Sequence, residues 1–265
     1  MNSKVFKILA IGDIVGKPGR QIIQSHLNEI KHKYNIDFVI ANGENSAGGF
    51  GITAKIYRSL IQNGIDVVTT GNHIWKNKDI FETLDKENNI LRPMNYPDNL
   101  PGKGYNIFNK NGIRILVINL MGRINILAVD CPFKKIENFL QTIDRDSYDI
   151  SIIDFHAETT SEKNAMGWFL DGQVNAVYGT HIHVQTADER ILPEGTAFIS
   201  DIGMTGSFNS IIGMDKDNIL HHFLTRMPIK YKIATENVGI NGVIISVEKS
   251  SFKTISIERL KYFPE

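Results

Sequence analysis

The chain reads as an α/β sandwich of two sheets, mixed in strand direction and covered by helices. Two observations predict this. The first half repeats a unit of about 30 residues in which a β-branched run is followed by a helical pattern. The second half adds further β-rich runs with short connections and little helix between the last of them. In order, "KVFKILAIGD" (4–13) is the first strand. In "GRQIIQSHLNEIKHKY" the residues Ile22, Ile23, His26, Leu27 and Ile30 recur at helical spacing. "DFVIANGEN" (37–45) is the second strand, and "TAKIYRSLIQNG" is a helix with Thr53 as N-cap and Gly64 as C-cap. "IDVVTTGNH" (65–73) is the third strand, followed by helical "KNKDIFETLDK". Three strand–helix units imply parallel strands with right-handed crossovers.

Further along, "GIRILVINLMG" and "YDISIIDFHAE" are buried-strand patterns separated by a helix around residues 132–143. "AVYGTHIH", "TAFISDIG", "NGVIISVE" and "KTISIERL" add strands. No linker rich in Pro, Gly or Ser divides the chain, so residues 1–265 are expected to form a single domain.

Composition narrows the function. With 42% hydrophobic and 22% charged residues the chain is an ordinary globular one. Its 29 basic and 29 acidic residues cancel, so no global field favours nucleic acid or an anionic membrane, and no stable nucleic-acid complex is expected. A single cysteine, Cys131, excludes an intramolecular disulfide framework and suits a reducing, cytoplasmic setting. The N-terminal apolar run (8–11) is too short for a signal sequence or a membrane span. Homo-oligomers are common, so a monomer is not assumed.

The informative feature is what stands at the strand ends. Asp13 closes the first, Glu44 and Asn45 the second, Asn72 and His73 the third. His156 ends the fifth, and "GTHIH" places His181 and His183 after the next. Side chains two apart on an extended segment project to one side, so both imidazoles could reach one point. Each cluster alone has an ordinary explanation: Asp13 could cap a helix, Asn72 could close a turn, His156 could be a satisfied core histidine. Five such clusters at one topological position, where open α/β sheets bind ligands, point to a shared site. Oxygen and imidazole donors without thiolate suit divalent ions rather than a structural zinc site. Two divalent ions against two carboxylates would leave positive charge that attracts a phosphate ester, although the whole chain is neutral.

Two glycine motifs carry less. "GDIVGKPG" (12–19) loosely resembles a P-loop, but the spacing is one residue short and Pro18 stands where Ser or Thr would hold Mg²⁺. "GGFG" (48–51) reads as a loop that needs positive φ.

The order Asp13, "NGEN", "TGNH", His156, "GTHIH" resembles the calcineurin-like metallophosphoesterase superfamily, whose usual pattern is D-x-H, GD-x-x-D, GNH, a lone His and G-H-x-H. Val15 stands where that pattern has its first histidine, Glu44 where the bridging Asp is usual, and Thr180 where the last motif begins with His. These departures, with "DIVGKPGR", "ANGENSAGGFGIT", "TTGNHIW" and "DFHAETTSEK", resemble the YmdB-type phosphodiesterases along most of the chain. The resemblance implies a four-layer αββα metallophosphoesterase sandwich and a phosphodiesterase with two divalent metals acting on 2′,3′-cyclic, or 3′,5′-cyclic, nucleotides. Iron or manganese are the implied metals, with zinc and magnesium as alternatives. It implies that Asp13, Glu44, Asn45 and His183 hold one ion and that Glu44, Asn72, His156 and His181 hold the other, Glu44 bridging.

Two metals about 3.5–4 Å apart can hold a hydroxide and ligate phosphoryl oxygens. That hydroxide would attack phosphorus in line with the leaving alkoxide, and His73, beside Asn72, is the candidate general acid. Asp154 could support the site from behind. Arg20, Arg123, Lys163 and Arg190 are candidate phosphate or base contacts; Arg123 and Lys163 are carried forward as substrate-binding candidates, Arg123 best placed because it follows a strand. The alternatives are a phosphomonoesterase or nuclease on the same ions, and a regulatory protein that binds metal and nucleotide with little hydrolysis.

Overall fold

The computed structural model describes residues 4–264, so residues 1–3 and 265 of the expected single domain lie outside the described residues. Among the described residues no helix is long and apolar enough to cross a membrane. The chain opens with β1 (Val5–Ile11), β2 (Asp13–Ile14), α1 (Gly16–Tyr34), β3 (Phe38–Asn42), α2 (Ala54–Gln62), β4 (Val67–Thr69) and α3 (Ile80–Lys86). The middle holds β5 (Tyr105–Lys110), β6 (Ile113–Met121), α4 (Pro132–Thr142), β7 (Ile150–His156), α5 (Thr160–Phe169) and β8 (Ala176–Thr180). It closes with β9 (Arg190–Ile191), β10 (Ala197–Ile199), β11 (Met204–Ser207), α6 (Lys216–Thr225), β12 (Val238–Glu248) and β13 (Thr254–Tyr262).

Two mixed sheets result. The first runs β2-β11-β12-β1-β3-β4, with β13 on the free side of β12. Within it β1, β3 and β4 are parallel and β12 is antiparallel to β1. The second runs β5-β6-β7-β8-β10-β9; its four central strands are parallel and its two edges antiparallel.

Alternation along the strands explains the layering. Ile8 and Ala10 of β1, Phe38 and Ile40 of β3, and Val67 of β4 pack against Ile115, Val117, Ile152 and Tyr178 of the second sheet. Their neighbours Leu9, Ile11, Val39 and Ala41 face the other way, onto Ile23 and Leu27 of α1 and Leu60 of α2. On the far side, Leu116, Ile118, Ile153 and Phe155 cover Ile136 of α4 and Met166 of α5. Strands buried on both faces show continuous apolar runs, which is why they were legible. The order is therefore helix, sheet, sheet, helix, as the resemblance implies.

Details differ from expectation. The third strand is only three residues, because the chain turns at Thr70 to present Asn72 and His73. Thr53 does cap α2, its Oγ1 accepting the Ile56 N–H at 3.3 Å, but the C-cap is Asn63 rather than Gly64, which follows it with φ +99°. Helices α5 and α6 and the edge strands β5 and β9 were not anticipated.

Candidate active site

The carboxyl ends of both sheets meet at one edge. After β1 the chain passes Gly12, where a Cβ would lie 2.1 Å from the Gly203 carbonyl; only glycine permits this crossing. It delivers Asp13 to full burial. Asp13 Oδ2 accepts the His181 N–H at 3.1 Å. Its Oδ1 is buried with no hydrogen-bond partner, although His183 Nε2 lies 3.9 Å away. A buried carboxylate oxygen with nothing to satisfy it is costly, which a cation would relieve.

Glu44, fully buried in the turn after β3, sits at the middle. Its Oε2 accepts the His73 N–H at 3.1 Å, and its Oε1 lies 3.2 Å from both Asn45 Nδ2 and His156 Nε2. His156 Nε2 also stands 3.0 Å from Asn72 Oδ1 and 3.0 Å from His181 Nδ1. Glu44, His156 and His181 each offer one atom that could ligate an ion, and these atoms fall within 4.8 Å of one another. On the other flank Asn45 Nδ2 faces His183 Nε2 at 3.1 Å. Turning that amide, which exchanges O and N in place, would present Oδ1 to the same point. Gly71 closes the floor, since a Cβ there would meet His156 Nε2 at 2.3 Å and Glu44 Oε2 at 2.4 Å.

Each histidine has its other nitrogen tied to an oxygen. His156 Nδ1–H donates to Thr180 Oγ1 at 2.9 Å, and that hydroxyl donates to Asp154 Oδ1 at 2.7 Å. His183 Nδ1 lies 2.9 Å from the Ile212 carbonyl, and His181 Nε2 lies 2.8 Å from Glu158 Oε2. Such partners fix the tautomer and ring orientation that a metal ligand needs. The Thr180 that departs from the usual superfamily pattern thus supports His156. Asp154 does lie behind the site, accepting hydrogen bonds from Thr69, Thr180 and Asn42.

Electrostatics agree with a cation at this point. Burial opposes charge on His156, but Glu44, Asp13 and Asp154 override it and push the imidazole up to about 9. Burial and the charge of His156 push His181 down to about 3. Burial also works against Glu44, yet His156 and His73 hold its carboxyl well below the ordinary range. Burial lifts Asp13 to about 6 against the pull of His156. A metal ion bound here would compete with the His156 proton, so its affinity would rise with pH.

His181 and His183 do not converge in the way an extended segment would bring them. Strand β8 ends at Thr180, and both histidines follow it with φ of +102° and +65°. Left-handed backbone, rather than the two-residue period of a strand, turns both rings toward the site. Asp201 holds this loop: its Oδ2 accepts the Ile182 N–H at 3.3 Å and its Oδ1 the Gly203 N–H at 2.8 Å.

That carboxylate also corrects Lys163 as a substrate contact. Lys163 is 1% exposed, with Nζ 2.6 Å from Asp201 Oδ2, and is spent on the loop beneath the histidines. We expect Lys163→Met to lower stability by about 3–5 kcal/mol, since a buried carboxylate is left unpaired. The double variant Lys163→Met/Asp201→Asn, which removes the charge but keeps an acceptor for the loop amides, should recover part of it in urea unfolding. Equal loss in single and double variants would refute the pairing. Arg190 is likewise committed, to the Asp188 carbonyl and Asn164 Oδ1, over the Phe198 ring. Arg20 Nε reaches back to the Gly16 carbonyl on its own helix. Arg123 is exposed in the loop after β6, its N–H held by buried Glu162, one strand over from His156.

His73 lines a cavity of about 530 Å³ that opens onto Glu44, Asn45, His181 and His183. Its Nδ1 is 2.8 Å from Asn45 Oδ1, which leaves Nε2 for the cavity, and Phe50 meets its ring edge-on at 5.1 Å. Sequence reasoning missed Glu158, two residues beyond His156 on the same turn, and the cavity wall contributed by residues 211–231.

Two mixed sheets between helices, with Asp, Glu, Asn and His converging at their shared carboxyl edge, are the architecture of the metallophosphoesterases, enzymes that hydrolyse phosphoric esters. The chain belongs to the YmdB-like protein family, which it matches over residues 9–260. It is 47% identical over 255 residues to the 2′,3′-cyclic-nucleotide 2′-phosphodiesterase of Bacillus subtilis, covering 96% of both chains. A hypothetical protein from Thermus thermophilus superposes with a TM-score of 0.92 at 36% identity, covering 98% of this chain and all of that one. A phosphatase from Mycoplasma pneumoniae gives 0.91, also at 36% identity, covering 98% of this chain and 94% of the other.

Proposed function

We propose that the protein is a phosphodiesterase that opens 2′,3′-cyclic nucleotides, using two divalent ions. The observation that carries this is the orphaned, buried Oδ1 of Asp13 amid six other side chains of ligand type drawn from both sheets. Asp13, Glu44, Asn45 and His183 form one group and Glu44, Asn72, His156 and His181 the other, with Glu44 common to both. The distances above support that division. Donors of oxygen and imidazole without sulfur suit manganese, iron or zinc, and the family resemblance implies iron or manganese among these. Ions held there would supply Lewis-acid charge for the phosphoryl oxygens and an activated water.

The chain's own part is orientation and proton transfer. Turned to offer Oδ1 as a ligand, Asn45 would give its Nδ2–H to His73 Nδ1, which keeps the ring proton on Nε2 for the leaving ribose oxygen. Thr180, Glu158 and the Ile212 carbonyl keep the three histidines in register. The 2′-phosphodiesterase activity named for the Bacillus subtilis relative supports cleavage at the 2′ oxygen, leaving a 3′-monophosphate.

The test uses chelator-stripped protein with Mn²⁺ or Fe²⁺ restored, acting on 2′,3′-cyclic AMP, with the products separated chromatographically. Metal-dependent formation of 3′-AMP is expected. Faster turnover of p-nitrophenyl phosphate than of any diester would instead assign a monoesterase.

Glu158→Gln gives a graded check on the support of His181. It should weaken metal affinity by about 10–100-fold while leaving the fold intact. Unchanged affinity in a metal titration would remove Glu158 from the site.

A further inference from the structure

The cavity has two unlike halves. One is the polar cluster already described. The other is apolar and comes from Phe50, Ile212, Met214, Phe223 and Tyr231, with His222 beside them. Several of these stand open to solvent: Ile212 is 50% exposed, Phe223 57% and Tyr231 49%. Apolar surface gathered at the mouth of a polar site marks a place for a ligand.

The wall is built, not incidental. Phe50 and Tyr231 meet at 5.7 Å with their planes at 64°. Phe50 sits in the "GGFG" loop, whose Gly48, Gly49 and Gly51 all have positive φ. A Cβ on Gly49 would come within 2.8 Å of both Met214 and Ile233, so the loop is seated directly against the 211–233 arm. The same arm supplies the Ile212 carbonyl to His183, with Ile212 at φ +46°, an uncommon conformation for a β-branched residue. The aromatic wall and the candidate metal centre are therefore held in one frame.

We infer that this wall is the nucleobase subsite, and that it holds the base by stacking rather than by reading its edges. The inference rests on the phosphodiesterase function proposed above. Every base has a π-face, so aromatic platforms bind them with little regard to sequence. Among the lining residues of the 211–231 arm no amide or carboxylate side chain is present, and the polar tips are His222 and the Tyr231 hydroxyl. His222 Nδ1 is already 2.8 Å from the Met227 carbonyl. The thioether of Met214 can adapt to purine or pyrimidine.

The test compares kcat/KM of the metal-loaded enzyme on the four 2′,3′-cyclic nucleotides with that on methyl riboside 2′,3′-cyclic phosphate, which has no base. The four nucleotides should fall within about tenfold of one another, each well above the base-less ester. In Tyr231→Ala and, independently, Phe223→Ala, the ratio of nucleotide to base-less ester should shrink by about tenfold, whereas Tyr231→Phe should keep it. Turnover of both substrates with the ratio unmoved in both alanine variants would overturn the subsite and leave the phosphodiesterase function standing. One nucleotide exceeding the others by 100-fold or more would overturn recognition by stacking. No turnover of either substrate by the wild-type enzyme would overturn both.

Discussion

His181→Ala is expected to reduce metal-dependent hydrolysis of bis(p-nitrophenyl) phosphate and of 2′,3′-cyclic AMP by at least about 10³-fold. The ring contributes the Nδ1 that stands 3.0 Å from His156 Nε2, inside the tightest group of ligand atoms in the site. Charge stabilisation by a metal amounts to several kcal/mol of transition-state energy, and each 1.36 kcal/mol is tenfold in rate. Metal content should fall below two ions per chain, since only one proposed group remains complete. The fold should survive, because His181 lies past the end of β8 and is not a core residue. Three results are informative. Lost turnover with lost metal supports the dinuclear centre. Two ions bound by the wild-type chain without turnover of any ester would favour a regulatory protein. Metal-independent hydrolysis would remove the basis of the proposal.

Much of this site was legible because its residues occupy one repeated position, the polar residue that ends an apolar run. Asp13, Glu44, Asn72, His156 and His181 each follow a β-branched strand, and parallel strands put such ends at one edge. What escaped notice depends on contacts between distant segments. Lys163 reads as a candidate phosphate contact, yet its partner Asp201 lies 38 residues on and is equally buried. The convergence of His181 and His183 was expected for the wrong local reason, since strand periodicity does not apply beyond Thr180. The aromatic wall was invisible because α6 and its flanks keep apolar side chains exposed, so their pattern does not mark a buried face. One local signal was available there: Asp215 accepts the Asn218 N–H at 2.9 Å, an N-cap placed just before the Ile219–Phe223 spacing.

His73→Gln should show a loss that depends on the leaving group. A positioned acid contributes about 10²–10⁴-fold when the departing oxygen needs a proton. The ribose oxygen of a 2′,3′-cyclic nucleotide is a poor leaving group, so kcat on that substrate should fall by about that range. A p-nitrophenolate departs readily without a proton, so bis(p-nitrophenyl) phosphate should lose less than about tenfold with the same variant. Geometry makes the contrast a strict one. His73 Nδ1 touches Asn45 Oδ1 at 2.8 Å and lies 3.3 Å from Glu44 Oε1, so the ring also props two residues of the cluster. If propping were its whole role, both substrates would lose activity equally and metal affinity would drop with them. Unequal loss at unchanged metal content assigns the proton to His73, because a structural defect cannot tell one leaving oxygen from another.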